Sequence, residues 1–345
     1  MVPEEKIEEI RKEVMVAENP LILFDDDMDG LCSYLTIRRI MKNVTGIPIK
    51  SGPIVDVNFV EKVKDISPDL IVILDKPIVT QEFIDKANTN IVWIDHHPAL
   101  ERKRVNYLNP LIWDNKDNRP TTYWCYNVAK LKDSLWIATA GCVADHFIPD
   151  FFDEFVKKYP DLVNKKEIED LKFNSKLGEL IKIFDFVLKG KSNDVKNSIS
   201  KLEKIKEPYE ILNKTSENGK FIFDRAEKIN KQYKSLLNKA LEEKSEDGIF
   251  LFVYPGSKMS FTNSLAGELL YRFPDKIVIV GRERGDKIKL SFRGKHIKIR
   301  PILEEALKGI EGYGGGHEYA CGGQVAKKDF NKFINNIKRL SKRSF

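Results

Sequence analysis

The sequence predicts an α/β protein with an N-terminal parallel-sheet lobe, a helical connector and a smaller C-terminal α/β lobe, over residues 1–150, 151–246 and 247–345. Three observations carry that prediction. Between residues 20 and 95, short β-branched or aliphatic runs alternate with acidic residues and stretches of helical periodicity. Between about 150 and 246 the chain turns to charged helical segments with few strand signals. After 247 the strand-like runs return. A length of 345 residues also exceeds the usual size of one hydrophobic core, which favours two lobes.

The opening MVPEEKIEEIRKEV sets apolar residues among charges at helical spacing and lacks the apolar core of a signal peptide. The runs LILF (21–24), LIVIL (70–74) and IVWI (91–94) are continuously apolar, as strands covered on both faces by crossover helices must be, so the sheet is predicted parallel. SLWIATAGCVADHF (134–147) reads as an apolar helix ending in Asp145 and His146. KKEIEDLKF, SKLGELIKIFDFVLKG and DRAEKINKQYKSLLNKALEEK make up the connector. IFLFVY, KIVIVG and IKLSF are the strands of the second lobe, with NSLAGELLYRF as a helix between them and KKDFNKFINNIKRLSK as a closing amphipathic helix. No repeat of 20 to 50 residues is present, so solenoid architectures are disfavoured.

An apolar fraction of 42% with 32% charged residues fits a folded chain rather than a disordered one. A net charge of only +6 excludes a heavily basic architectural nucleic-acid binder, so any polyanion site must be local. Cys32, Cys125, Cys142 and Cys321 form no CxxC pair, which argues against a structural zinc site or a disulfide framework and for a reducing compartment. No apolar run approaches the ~20 residues that a membrane-spanning helix needs, so a cytoplasmic protein with no membrane partner is expected.

All three N-terminal strand runs end in acid. Phe24 leads into Asp25, Asp26 and Asp27, Leu74 into Asp75, and Ile94 into Asp95, His96 and His97. In a doubly wound parallel sheet the strand carboxyl ends share one edge, so these residues converge. Carboxylates so packed repel one another unless divalent cations compensate. Carboxylates with imidazoles suit manganese or magnesium, and two Mn2+ ions are expected, with Mg2+ the alternative. A calcium EF-hand fits Asp25, Asp27, Asp29 and Gly30, but its twelfth position is Thr36 instead of glutamate and a strand-like run stands where a helix should. A lone aspartate such as Asp75 is ordinarily a turn or cap residue, and a lone histidine beside an aspartate is ordinarily structural. The conjunction of three such strand ends favours metal.

DDDMDG at 25–30, the isolated Asp75, Asp95 with His96 and His97, and Asp145 in GCVAD resemble, in order and spacing, the four motifs of the DHH phosphoesterases over roughly the first 150 residues. GGGHEYACGG (314–323) and SFRG (291–294) resemble the phosphate-binding motifs of the DHH-associated domain. Alone, such a glycine run reads as a turn, and it lacks the GxGxxG of dinucleotide binding. Many pyrophosphatase-like and oligonucleotidase-like members have a histidine where this chain has Leu23, and Asp25 stands in for it; the form DxDxDG is similar to that of the RecJ-like nucleases, including the archaeal GINS-associated nuclease.

The resemblance implies that Asp25, Asp27, Asp29, Asp75, His96 and Asp145 ligate two metal ions, with Asp75 as the bridge. It places His97 either beside the phosphate or behind the metal ligands, and Asp95 fixes an imidazole tautomer. Arg293 offers a bidentate fork, Gly314, Gly315 and Gly316 a closely approachable backbone, and His317 a further hydrogen bond to substrate phosphate. Residues 282–308 hold nine Lys or Arg against four acids, which fits either a polyanion groove or, for the individual lysines though not for Arg293, the solvated strand face of a lysine-rich protein. The implied activity is 5′-to-3′ exonuclease action on single-stranded DNA or RNA. Two alternatives are a phosphodiesterase for dinucleotides or short oligoribonucleotides, and a non-catalytic replication scaffold that binds GINS. The connector has no likeness to a separate nucleic-acid-binding domain, and the chain is too short for the extra oligonucleotide-binding module of bacterial RecJ, which leaves substrate length open.

Overall fold

The computed structural model describes residues 2–50, 52–243, 248–256 and 259–341. The chain divides into two compact units, Met1–Leu188 with Ser192–Ala226, and Lys189–Lys191 with Glu227–Phe345. The expected boundary at 246/247 lies outside the described residues.

In the first unit the strands are β1 (Leu21–Asp25), β2 (Thr45–Ile49), β3 (Ile54–Val55), β4 (Leu70–Leu74), β5 (Ile78–Val79), β6 (Asn90–Ile94) and β7 (Asn106–Leu108). Five of them form a wholly parallel sheet in the order β2-β1-β4-β6-β7, and β3 pairs with β5 beside it. The predicted α/β class and parallel sheet are therefore what the chain adopts. Leu21, Leu23, Ile71, Ile73, Ile91 and Trp93 face a core shared with Phe83 and Ile84 of the Gln81–Ala87 helix. Ile22, Phe24, Val72, Leu74, Val92 and Ile94 on the other face are equally buried, and Phe24 stacks on Tyr34 of the Met28–Ile37 helix at 4.4 Å. From β1 the chain adds β2 on one side and then returns to place β4 on the other. That reversal makes the crevice at the carboxyl ends of β1 and β4 the expected ligand position.

After residue 150 the chain is helical, as expected, through Phe152–Lys158, Ile168–Phe173, Lys176–Val187, Ser192–Leu202, Tyr209–Leu212 and the long Glu217–Glu242. The second unit carries β8 (Ile249–Tyr254), β9 (Ile277–Arg284), β10 (Lys287–Arg293), β11 (Gly312–His317) and β12 (Ala320–Ala326). They form a mixed sheet in the order β11-β12-β10-β9-β8, in which only β8 and β9 run parallel. Ile279, Leu290 and Phe292 pack there against Ile302 and Leu303 of the Ile299–Ala306 helix and Phe333 and Ile337 of the Phe330–Ser341 helix. The glycine run at 314–316, which alone reads as a turn, is instead part of β11. Backbone pairing with β12 overrides the glycine signal. All four cysteines are buried and free, and among the described residues no helix is long and apolar enough to cross a membrane.

Candidate metal centre

Asp25 closes β1, and Asp27 caps the helix that follows by accepting the Gly30 amide at 3.0 Å. Gly30 is required at that corner, since a Cβ there would lie 2.4 Å from the Asp25 carbonyl oxygen. The tight turn drops Asp29 into the protein, where it is 2% exposed and accepts the Thr121 and Thr122 amides at 2.8 and 2.7 Å. Those amides open the Thr121–Ala129 helix, whose positive end favours a carboxylate.

Asp75 follows β4 in the left-handed region, φ +58°, with its amide bonded to the Ile94 carbonyl at 3.0 Å. Such a conformation in a non-glycine residue persists only where its surroundings hold it, and it gathers at functional sites. Asp75 is 2% exposed and accepts the Thr121 hydroxyl at 3.2 Å. After β6, Asp95 is fully buried and accepts both the His97 amide at 3.0 Å and the His97 ring Nδ1 at 2.8 Å. The imidazole that Asp95 orients is thus that of His97. Asp145 ends the Leu135–Ala144 helix, with its carboxylate 3.9 Å from His96 Nδ1.

These segments meet. His96 Nε2 lies 3.6 Å from Asp75 and 3.8 Å from Asp29, and His97 Nδ1 lies 3.9 Å from Asp75. Three sets of donor atoms, Asp75/His96/His97, Asp29/His96/Asp145 and Asp25/Asp27/Asp75, are each gathered within 4.8 Å. All six residues expected as ligands, together with His97, therefore stand at one sheet edge.

The electrostatics show what such crowding costs. Desolvation first, then the charges of Asp29, Asp27 and Asp25, push the Asp75 carboxyl well above its ordinary range. Desolvation and the same neighbours Asp29 and Asp27 raise Asp145, and desolvation with Asp25 and Asp29 lifts Asp27 to about 7. Asp27 is open to solvent and the Asp145 side chain is 39% exposed, so water tempers the push on these two more than on Asp75. Burial lowers His96, whereas for His97 the Asp95 hydrogen bond and charge outweigh desolvation and the net shift is upward. Buried carboxylates that resist ionising beside a neutral imidazole are a donor set that divalent cations fit, and its oxygen and nitrogen atoms match manganese or magnesium.

Lys76, Thr121, Thr122 and Asn109 complete the centre and were not singled out in the sequence. Lys76 is wholly buried and its ammonium donates to Asp25 at 2.9 Å. Asn109 donates to the His97 carbonyl at 2.8 Å.

In the second unit Arg293 ends β10, cross-strand from Ala320, which itself pairs with His317, so Arg293 and His317 share a sheet face. The Arg293 guanidinium donates to the Phe292 carbonyl at 2.7 Å and to Asn263. Desolvation lowers it to about 10, which leaves it charged at neutral pH. The three glycines differ in role. Gly316 has φ +137°, and a Cβ on Gly314 would meet Leu303 at 2.9 Å, but a Cβ on Gly315 would meet nothing within 4 Å. Gly315 is thus the glycine that packing does not demand, and its bare backbone faces open space.

The DHH family, N-terminal domain, matches residues 20–167, and the DHHA1 domain matches residues 246–343. RecJ from Thermus thermophilus in complex with Mn2+ has the same fold at a TM-score of 0.70 and 14% identity, over 99% of this chain and 54% of that one. An exonuclease RecJ bound to manganese matches at 0.64 and 14% identity, over 99% and 96%. The Thermus thermophilus RecJ in complex with Mg2+ matches at 0.62 and 14% identity, over 99% and 52%. This chain spans about half the length of the Thermus protein. No curated protein matches it by sequence.

Proposed function

The chain belongs to the DHH superfamily and has a RecJ-like fold, and on that premise we propose that it is a divalent-metal-dependent phosphodiesterase that removes nucleotides from single-stranded DNA or RNA, in the 5′-to-3′ direction. The observation that carries the reading is the meeting of three metal-competent groups at the carboxyl edge of β1, β4 and β6. In this reading residues 1–150 form the metal-binding domain, 151–246 the connector, and 247–345 the phosphate-binding domain.

Asp25, Asp27, Asp29, Asp75, His96 and Asp145 would hold two Mn2+ or Mg2+ ions, with Asp75, common to two of the groups, as the shared ligand. Bound there, the pair supplies charge neutralisation at the phosphate and a water acidified enough to attack it. The protein's own part is positional. Thr121 and Thr122 fix Asp29 through backbone amides, and Thr121 fixes Asp75 through its hydroxyl. Asp95 holds Nδ1 of His97 and raises the affinity of that ring for a proton. Charged at the ring, His97 serves as hydrogen-bond donor and general acid toward the phosphate or its leaving oxygen. Arg293, His317 and the backbone of Gly314, Gly315 and Gly316 bind substrate phosphate.

The test is a panel of end-labelled single-stranded DNA and RNA, two to twenty nucleotides long, incubated with purified protein and Mn2+. Shortening of the long single strands from the 5′ end, lost with EDTA and in Asp27→Asn, is the expected result. Cleavage confined to the dinucleotide would replace the exonuclease with a small-substrate phosphodiesterase, and no cleavage at any length would overturn the enzymatic reading.

A further inference from the structure

Lys76 is fully buried at the floor of the centre, yet the proposed chemistry gives it no part. Its ammonium donates to Asp25 Oδ1 at 2.9 Å and to the Gly52 carbonyl at 2.7 Å, and its own carbonyl accepts the Trp93 indole N–H at 2.9 Å. Burying an ammonium is costly unless it is paired and hydrogen-bonded, and here one of the candidate metal ligands supplies the pairing. Charge compensation within the centre is therefore uneven. Asp29 is held by uncharged backbone amides and Asp75 by a hydroxyl, but Asp25 already has a cation against it.

We propose that Lys76 is a built-in counter-ion that positions Asp25 and competes with a divalent cation for it, so that Asp25/Asp27/Asp75 is the weaker-binding side of a two-ion centre. The inference rests on the metal-centre reading above. A cation arriving beside Asp25 meets the like charge of the ammonium and shares its carboxylate. The Asp29/His96/Asp145 group carries no such penalty from Lys76, and the Lys172 ammonium near Asp145 donates to the Ala144 carbonyl at 2.7 Å rather than to a ligand carboxylate, so that group fills first. Lys76 is a positioning residue and acts on the chemistry through Asp25.

The experiment is Mn2+ binding to the full chain, followed by the electron paramagnetic resonance signal of free Mn2+ and by calorimetry. Wild-type protein is expected to take up two ions in separable steps. Lys76→Met should tighten the weak step by about tenfold or more, because a fixed positive charge has left a site of low effective dielectric. Asp25→Asn should move the same step the opposite way by a similar factor, since the ammonium then stands unpaired beside the incoming ion. Lys76→Arg should keep the wild-type order. Opposite shifts separate this role from a structural one, for which both substitutions would loosen binding. Lys76→Gln, which keeps hydrogen bonding without the charge, should tighten the step as Met does and replaces it if the Met variant does not fold. Two equal steps in the wild type, or a weak step that Lys76→Met and Lys76→Gln leave unmoved or weaken, overturns the proposal alone. A wild-type chain that takes up no Mn2+ overturns the metal-centre reading and this inference with it.

Discussion

Replacing Asp75 by Asn should stabilise the metal-free protein while removing its response to metal. Asp75 is 2% exposed, and desolvation, then Asp29, Asp27, Asp25 and Asp95, push its carboxyl well above 3.8. A carboxyl raised in the folded state contributes fully below its unfolded value and loses that contribution as pH rises toward the folded value, because the unfolded chain ionises while the folded one does not. The loss accrues at ~1.4 kcal/mol per pH unit, so between pH 5 and pH 7 the wild type gives up as much as ~2.7 kcal/mol that an amide keeps. Coulomb's law agrees in size. Donor oxygens of Asp25, Asp27 and Asp75 lie within 4.8 Å of one another, and two unit charges at that spacing repel by ~3.5 kcal/mol at an effective dielectric of about 20. Solvent around Asp27 reduces its share. Asparagine also accepts the left-handed backbone at this position, so the substitution adds no strain there. By calorimetry after EDTA treatment, Asp75→Asn should unfold about 5–10 °C above the wild type at pH 7, and the gap should narrow clearly at pH 5 and close as the pH falls to about 4. Mn2+ at a hundredfold excess over Kd should then add ~2.7 kcal/mol to the wild type and almost nothing to the variant, which closes or reverses the order. A metal-free variant that melts below the wild type at pH 7, or a gap that persists unchanged at pH 5, would refute the electrostatic account.

Asp95→Asn should lower the proton affinity of His97, so the alkaline limb of the kcat profile, where a protonated His97 is lost, should move to lower pH; a limb that stays in place removes His97 as the acid. Gly315→Ala should leave the unfolding temperature within ~1 °C of wild type yet weaken oligonucleotide binding, whereas Gly316→Ala, at φ +137° and with a Cβ 2.6 Å from the Ala320 carbonyl oxygen, should cost ~1–3 kcal/mol of stability in urea titrations. Arg293→Lys keeps the charge but loses the fork, and should raise the KM for single-stranded oligonucleotides by about tenfold with kcat little changed.

What the sequence displayed of this centre was its local part. Asp25, Asp75 and Asp95 each follow an apolar strand run directly, so the parallel sheet that those runs predict also predicts that they meet. Asp145 comes instead from a helix end, and its arrival depends on how closely the Leu135–Ala144 helix packs. Gly141 permits that approach, since a Cβ there would lie 2.6 Å from Cys32 Cβ, a relation between residues far apart in sequence. The two edge strands were missed for a related reason. β2 contains Gly46 and Pro48, residues that weaken a strand signal and that an edge tolerates, and β7 is only three residues long.

Lys76 is the harder case, because a lysine is ordinarily a solvated residue and nothing in the LDKP stretch shows otherwise. Its burial is decided by the Gly52 carbonyl and the Asp25 carboxylate, which arrive from two other crossovers. The same topology that gathers carboxylates at the β1/β4 switch point thus also delivers a fixed cation to one of them. A centre assembled from residue types alone has interchangeable aspartates, whereas the folded one does not. Asp29 is held by amides that leave its charge uncancelled, and Asp25 is held by a charge that opposes its own. On the proposal above, the place where the fold puts one ammonium adds to the difference that already separates the all-carboxylate Asp25/Asp27/Asp75 group from the two groups containing His96.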